Sequence, residues 1–101
     1  MSSKKDEGYV FSLEKAAVYF SAAWCQPCKV FFPQFKEWAK QIDGLEVVKI
    51  DVEKEPLLGQ VFNIRAVPAI VFLKNGKNMG IKLGATHYEP DMMEFMNSVY
   101  V

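Results

Sequence analysis

Two cysteines stand three positions apart, as Cys25-Gln26-Pro27-Cys28, and the chain has no others. At the start of a helix, such a pair holds the first sulfur over unsatisfied N–H groups and the positive end of the helix dipole. Both favour a thiolate, so the Cys25 thiol is expected below the ~8.5 of a free cysteine. The second sulfur lies one turn further on, close enough to close a small ring. The first cysteine can attack a partner disulfide, and the second can then resolve the mixed disulfide. Pro27 has no N–H and a fixed φ, which suits a first helical turn. Two blander readings stand beside this one. The pair is half of a zinc site, or two inert buried thiols. Zinc needs four ligands. There is no second cysteine pair and His87 is the only histidine, so zinc would require a dimer or carboxylates.

The pair needs a strand that ends before it and a helix that starts at it, and the flanking sequence supplies both. Ala16–Ser21 is apolar, with β-branched and aromatic content, and reads as a buried strand. Lys29–Ile42 reads as a helix, with Phe31, Phe35, Trp38 and Ile42 on one face of a 3.6-residue period. Pro33 lies inside it and should kink it. Asp43-Gly44 ends it. Glu46–Val52 is a strand, and Leu57–Phe62 a short helix opened by Pro56. Ala69–Leu73 is an apolar strand. Asn75-Gly76 is a hairpin turn signal, and Asn78–Leu83 is the return strand. Pro90 and Asp91 open a last helix with Met92, Phe95, Met96 and Val99 as its apolar stripe. Tyr9-Val10-Phe11 reads as a short strand. The order predicts an α/β fold with a central mixed sheet of four to five strands flanked by helices.

The chain has 101 residues, 12 Lys+Arg against 12 Asp+Glu, and no net charge. That length fits one domain spanning 1–101, with the polar residues 1–8 expected to be flexible. It is enough to bury roughly two-thirds of the unfolded surface. Zero net charge argues against a nucleic-acid binder, which needs clustered Lys and Arg. The longest apolar stretch, Ala66–Leu73, has eight residues, far short of a membrane span. The charged N-terminal residues have no apolar run to act as a secretory signal, so a cytoplasmic location is expected.

The wider motif set is more specific than the pair. Trp24-Cys25-Gln26-Pro27-Cys28-Lys29, with Pro33 following, resembles the active-site segment of the thioredoxin family. Ile64-Arg65-Ala66-Val67-Pro68-Ala69 resembles that family's cis-proline loop. Phe72-Leu73-Lys74-Asn75-Gly76 resembles its hairpin, Leu83-Gly84-Ala85 the step after it, and Val48-Lys49-Ile50-Asp51-Val52 its central strand. These segments occur in family order over about four-fifths of the chain.

The resemblance implies a thioredoxin-like fold and a dithiol–disulfide oxidoreductase that reduces protein disulfides. Cys25 would be the nucleophile and Cys28 the resolving thiol. Trp24 would cover the disulfide and line the substrate surface, with Gln26 and Pro27 between the sulfurs. Pro68, in cis, would face the dithiol. The backbone of Val67 would pair with an extended substrate segment, and Gly84 would permit close backbone approach. Expected partners are disulfide-containing proteins and an electron donor, either a thioredoxin-reductase-like flavoprotein or a low-molecular-weight dithiol. No metal or organic cofactor, nucleic acid or membrane is implied, and a monomer is expected. Two rival readings are an electron relay fed by a low-molecular-weight thiol, and a binding module around Trp24, Val67 and Gly84 with secondary redox activity.

The chain departs from the family in three places. The family carries a buried Asp six residues before the first cysteine, thought to relay the proton of the resolving thiol. Here Tyr19 stands there, as in tryparedoxins, and a phenol is a poor base at neutral pH. Lys49 matches the partner of that Asp and is expected to be solvated, so proton transfer from Cys28 has Lys49, Tyr19 or water as candidates. Gln26 replaces a glycine; it adds no charge, and the isomerase-type His, associated with oxidising power, is absent. Finally, only Ser12 to Ala17 separate Phe11 from Val18, too few for a parallel crossover. The family's first helix cannot be present at full length, so the N-terminal strand and helix are shortened: either the first strand is lost or residues 9–21 form an irregular extended run. Losing that strand would leave Glu46–Val52 as a sheet edge, blunted by charge but open to dimerisation. His87 is expected in a surface loop, with a place near the dithiol face as the alternative.

Overall fold

Lys15–Ser21 forms β1, a strand whose last six residues are buried and which lies inside the sheet. The structure, a computed structural model, describes residues 7–101. In chain order the other elements are α1 (Glu7–Ser12), α2 (Gln26–Ala39), β2 (Glu46–Asp51), α3 (Pro56–Val61), β3 (Ala69–Lys74), β4 (Lys77–Leu83) and α4 (Glu89–Tyr100). The strand order is β2-β1-β3-β4. β1 and β2 run parallel, with α2 as the crossover, and pair Tyr19 with Lys49. β3 is antiparallel to β1 and joins β4 through Asn75-Gly76, whose φ angles of +52° and +79° fit a tight hairpin turn.

Alternation along the strands sorts the side chains into two layers. Ala17, Tyr19, Ile70 and Phe72 face α2 and α4. Ala16, Val18, Phe20, Ala69, Val71 and Leu73 face α1 and α3. The Tyr100 hydroxyl donates to the carbonyls of Ala16 (2.9 Å) and Leu73 (3.1 Å), so α4 bridges β1 and β3.

The strand expected at Tyr9–Phe11 is a correction: these residues lie in α1. Their aromatic and branched side chains suggested a strand, but only Leu13 and Glu14 separate α1 from β1. That is too short to reach a parallel partner, whereas one helical turn buries Val10 and sets Phe11 against Phe62, with ring centroids 5.5 Å apart. Among the described residues the sheet accordingly has four strands, and β2 is an edge. Of the flexibility expected for residues 1–8, the part covering 1–6 lies outside the described residues; Glu7 and Gly8 begin α1.

Candidate active site

The sulfur pair sits where β1 hands over to α2. The Cys25 N–H donates to the Ala22 carbonyl (3.0 Å) and closes the turn between them. Cys25 then caps α2 with an extended backbone, φ −90° and ψ 99°, and Pro27 occupies the first turn. Within that turn the Cys28 N–H donates to the Cys25 sulfur at 3.3 Å. A helix N-cap normally offers an oxygen to these orphan amides; here a sulfur takes the place. The two cysteines are joined as a disulfide, with Cα atoms 5.3 Å apart, and both are buried.

In front of the pair the surface is apolar and rigidly tied. Trp24 is 67% exposed, yet its indole N–H donates to the Glu53 carboxylate at 3.0 Å. Glu53 is itself placed by Asp51, whose Oδ1 accepts from the backbone N–H of Glu53 (2.8 Å) and of Lys54 (3.3 Å). A groove of about 140 Å³ runs beside Trp24, lined by Val52 and the segment Ile64–Val67. The Val67–Pro68 bond is cis. The Gly84 N–H donates to the Pro68 carbonyl at 2.9 Å, so the two loops are one unit. Gly84 holds φ +86°, a conformation that favours glycine, and the space where a Cβ would stand is open. A second groove, about 360 Å³, lies along α2 between Gln26, Pro27, Val30, Phe31, Gln34 and Ala85.

Behind the pair the surroundings are aromatic. The Tyr19 hydroxyl donates to the Cys28 carbonyl at 2.9 Å. Its ring meets Phe32 edge-on at 4.8 Å and lies within 6.2 Å of Phe31 and 5.9 Å of Phe35. Burial pushes the Tyr19 phenol up to about 12, so it stays neutral at physiological pH. Lys49 is exposed, as expected, and its Nζ lies 4.8 Å over the Phe32 ring. It lines a polar cleft of about 260 Å³ together with Ser21, Lys29, Asp51 and Lys54. Tyr19 and Lys49 are sheet partners, yet Phe32 packs against both.

The structure thus gathers Trp24, Cys25, Gln26, Pro27, Cys28, Val67, Pro68 and Gly84 at one end of the sheet, with Tyr19 beneath and Lys49 on the flank. Sequence reasoning missed Glu53 as the partner of Trp24; the only local sign was Asp51, a turn-forming residue at a strand end. It also left His87 without a task, although its ring nitrogen contacts two backbone carbonyls next to the site. Among the described residues no group of three or more His, Cys, Asp or Glu comes together as a metal site. Nor is any described helix long and apolar enough to cross a membrane.

Comparison with known proteins gives a consistent picture. The thioredoxin family model matches residues 5–98. A thioredoxin of Buchnera aphidicola subsp. Baizongia pistaciae is 35% identical over 91 residues, covering 88% of this chain and 83% of that protein. Among solved structures, the oxidised thioredoxin of Plasmodium falciparum superposes with a TM-score of 0.81 at 25% identity, covering 99% of this chain and 94% of that one. A single-site mutant of a thioredoxin from Halobacterium salinarum gives 0.80 at 27% identity, covering 91% and 80%.

Proposed function

Since the chain belongs to the thioredoxin family and is a thiol–disulfide oxidoreductase, we propose that it works as a reductant of protein disulfides. The observation that carries this reading is Gln26 between the sulfurs, which offers no charge or imidazole to favour the reduced form. The Cys28 N–H directed at the Cys25 sulfur, on a cap where the helix dipole also favours negative charge, makes Cys25 the attacking sulfur. A thiolate held this way attacks one sulfur of a target disulfide. The target S–S bond breaks, a Cys25–target disulfide forms, and the released target sulfur takes a proton from water. Cys28 then gives up its proton and attacks the Cys25 sulfur. The mixed disulfide breaks, the second target thiol leaves, and the intramolecular disulfide remains. The target has gained two electrons and two protons. A flavoprotein reductase or a low-molecular-weight dithiol must return them.

Trp24 and the Val67 loop frame the groove that takes an extended stretch of the target, and main-chain pairing with Val67 holds it. Gln26 puts no charge between the sulfurs. The Tyr19 hydroxyl spends its proton on the Cys28 carbonyl, so it positions the start of α2 and supplies no base. The Cys28 proton leaves instead to water, with the exposed Lys49 an ammonium that offers no lone pair to take it, and resolution therefore quickens as pH rises above neutral. A mixed-disulfide release rate that is fast and flat from neutral pH downward would refute that route. The protein acts as a monomer in a reducing, cytoplasmic compartment, where thiols stay reduced. Glu46, Lys49 and Asp51 keep the β2 edge charged against self-pairing.

The decisive measurement is the reduction potential of the Cys25–Cys28 pair against a dithiothreitol buffer. A reductant gives about −270 mV. A value of about −180 mV or above, in the isomerase range, overturns the reductive reading.

A further inference from the structure

We infer that His87 is a positioning residue for the protein substrate, the clamp that holds the Leu83–Ala85 loop against α2. The inference rests on the protein-disulfide reading above. The His87 Nε2 lies 3.0 Å from the Leu83 carbonyl and 3.0 Å from the Gly84 carbonyl. Both are acceptors, so this nitrogen carries a proton and donates to the pair. The imidazole packs against Phe31, with ring centroids 5.6 Å apart. Phe31 is buried in α2, one turn beyond Cys28. Gly84 passes the constraint on, because its N–H donates to the Pro68 carbonyl at 2.9 Å. A continuous path runs from α2 through His87 and Gly84 to the loop beside the dithiol. Among the described residues, no other side-chain hydrogen bond reaches residues 83–86.

The surface this path supports belongs to substrate docking. Ala85 forms one wall of the groove whose other walls are Gln26, Pro27 and Val30. Val30 of α2 is 70% exposed at this groove, and Leu83, 63% exposed where β4 runs into the loop, borders the neighbouring groove lined by Ile64, Ala66 and Ile81, so apolar surface adjoins the loop. An extended polypeptide spans this groove when its disulfide reaches Cys25. A small disulfide needs only the sulfur. His87 therefore acts on binding of the polypeptide, through the loop, and touches no reacting atom.

Two variants test this. His87→Leu keeps an apolar contact with Phe31 and removes the donor; His87→Gln returns a donor near the place of Nε2. Reduction of insulin, as the protein disulfide, is compared with reduction of dithiobis(nitrobenzoate), a small aromatic disulfide. Losing a hydrogen bond of ordinary strength raises the insulin KM about three- to tenfold in His87→Leu. The small-disulfide KM shifts by less than half that factor, and His87→Gln recovers most of the loss. Hydrogen exchange at the Gly84 amide speeds up in His87→Leu while the β1 amides keep their protection. Equal losses on both disulfides, an unchanged insulin KM, or failure of His87→Gln to restore it overturns the inference alone. A wild-type protein that reduces the small disulfide but leaves insulin intact overturns the protein-disulfide reading, and the clamp with it.

Discussion

Between the sheet and helices α2 and α4, the core is built from rings and sulfur: Tyr19, Phe31, Phe35, Trp38, Phe72 and Tyr100 pack with Met92, Met96 and the two cysteines. Between the sheet and helices α1 and α3 it is mostly aliphatic: Val10, Val18, Val48, Ile50, Leu58, Val71 and Leu73, with only Phe20 and Phe62 as buried rings. The first layer carries polar anchors. Tyr19 fixes the Cys28 carbonyl, and Tyr100 joins two strands. Among the described residues no buried side-chain polar atom lacks a partner, so these hydroxyls add direction without an unpaired group. The aliphatic layer supplies burial without direction. One layer stabilises and sets geometry; the other stabilises. A dithiol whose chemistry depends on where an amide points belongs on the first.

The sharpest break of this division is chemical. Cys25→Ser replaces the attacking sulfur with a hydroxyl, a far weaker nucleophile toward a disulfide, and should lower turnover by about three orders of magnitude or more. Cys28→Ser should keep the first attack and accumulate a mixed disulfide, visible in intact mass. A Cys25→Ser protein with near-normal turnover would remove the ring layer's claim to the chemistry. Next come matched truncations, one per layer. Phe35→Ala and Phe20→Ala should each cost about 3–5 kcal/mol in denaturant unfolding. Only Phe35→Ala should shift the reduction potential, because its ring contacts Tyr19, Phe31 and Phe72. Equal shifts from both would erase the distinction.

Alkaline titration separates the layers more gently. Burial raises the Tyr19 phenol to about 12, and raises that of Tyr100 as well. The folded state then holds protons that the unfolded chain releases near ~10. Their contribution is complete below that pH and is lost as pH climbs through the folded values. Tyr19 alone should account for about 2–3 kcal/mol of that loss between pH ~10 and ~12. Tyr19→Phe should flatten the alkaline limb and, lacking one hydrogen bond, start about 1 kcal/mol lower at neutral pH. An alkaline limb identical to wild type would contradict the burial of this phenol. The smallest effect is expected at the exposed rim. Glu53→Gln keeps an acceptor for the Trp24 indole, so kcat/KM on a protein disulfide should fall less than about threefold.

What was legible in the sequence follows the range of the signal. The cysteine spacing, Pro27 in the first turn and Asn75-Gly76 act within a few residues, and each stands where its type demands. The cis bond before Pro68 was legible through the motif around it. Tyr9–Phe11 misled because side-chain type was weighed before the length of the connection to β1, which excludes a parallel partner. Glu53 was invisible because its role depends on Trp24, 29 residues away, being brought beside it. The place of His87 near the dithiol face was open in the sequence, but its contacts were not, since Phe31 and the Gly84 carbonyl meet it only after α2 and the loop have packed. Tyr19 was recognised as a departure from the family, but its type could not say which atom its hydroxyl would reach.

Tyr100 ties the last helix to Ala16 in the first strand, 84 residues earlier. During synthesis, that bond and the α4 side of the ring layer cannot form until the end of α4 has left the ribosome. At about 5–20 residues per second, the two thiols wait on an unfinished face for several seconds after they emerge. For that interval the newborn chain carries its own most reactive groups unprotected, and the surrounding thiol pool, not the fold, decides whether they are still free when the last turn arrives.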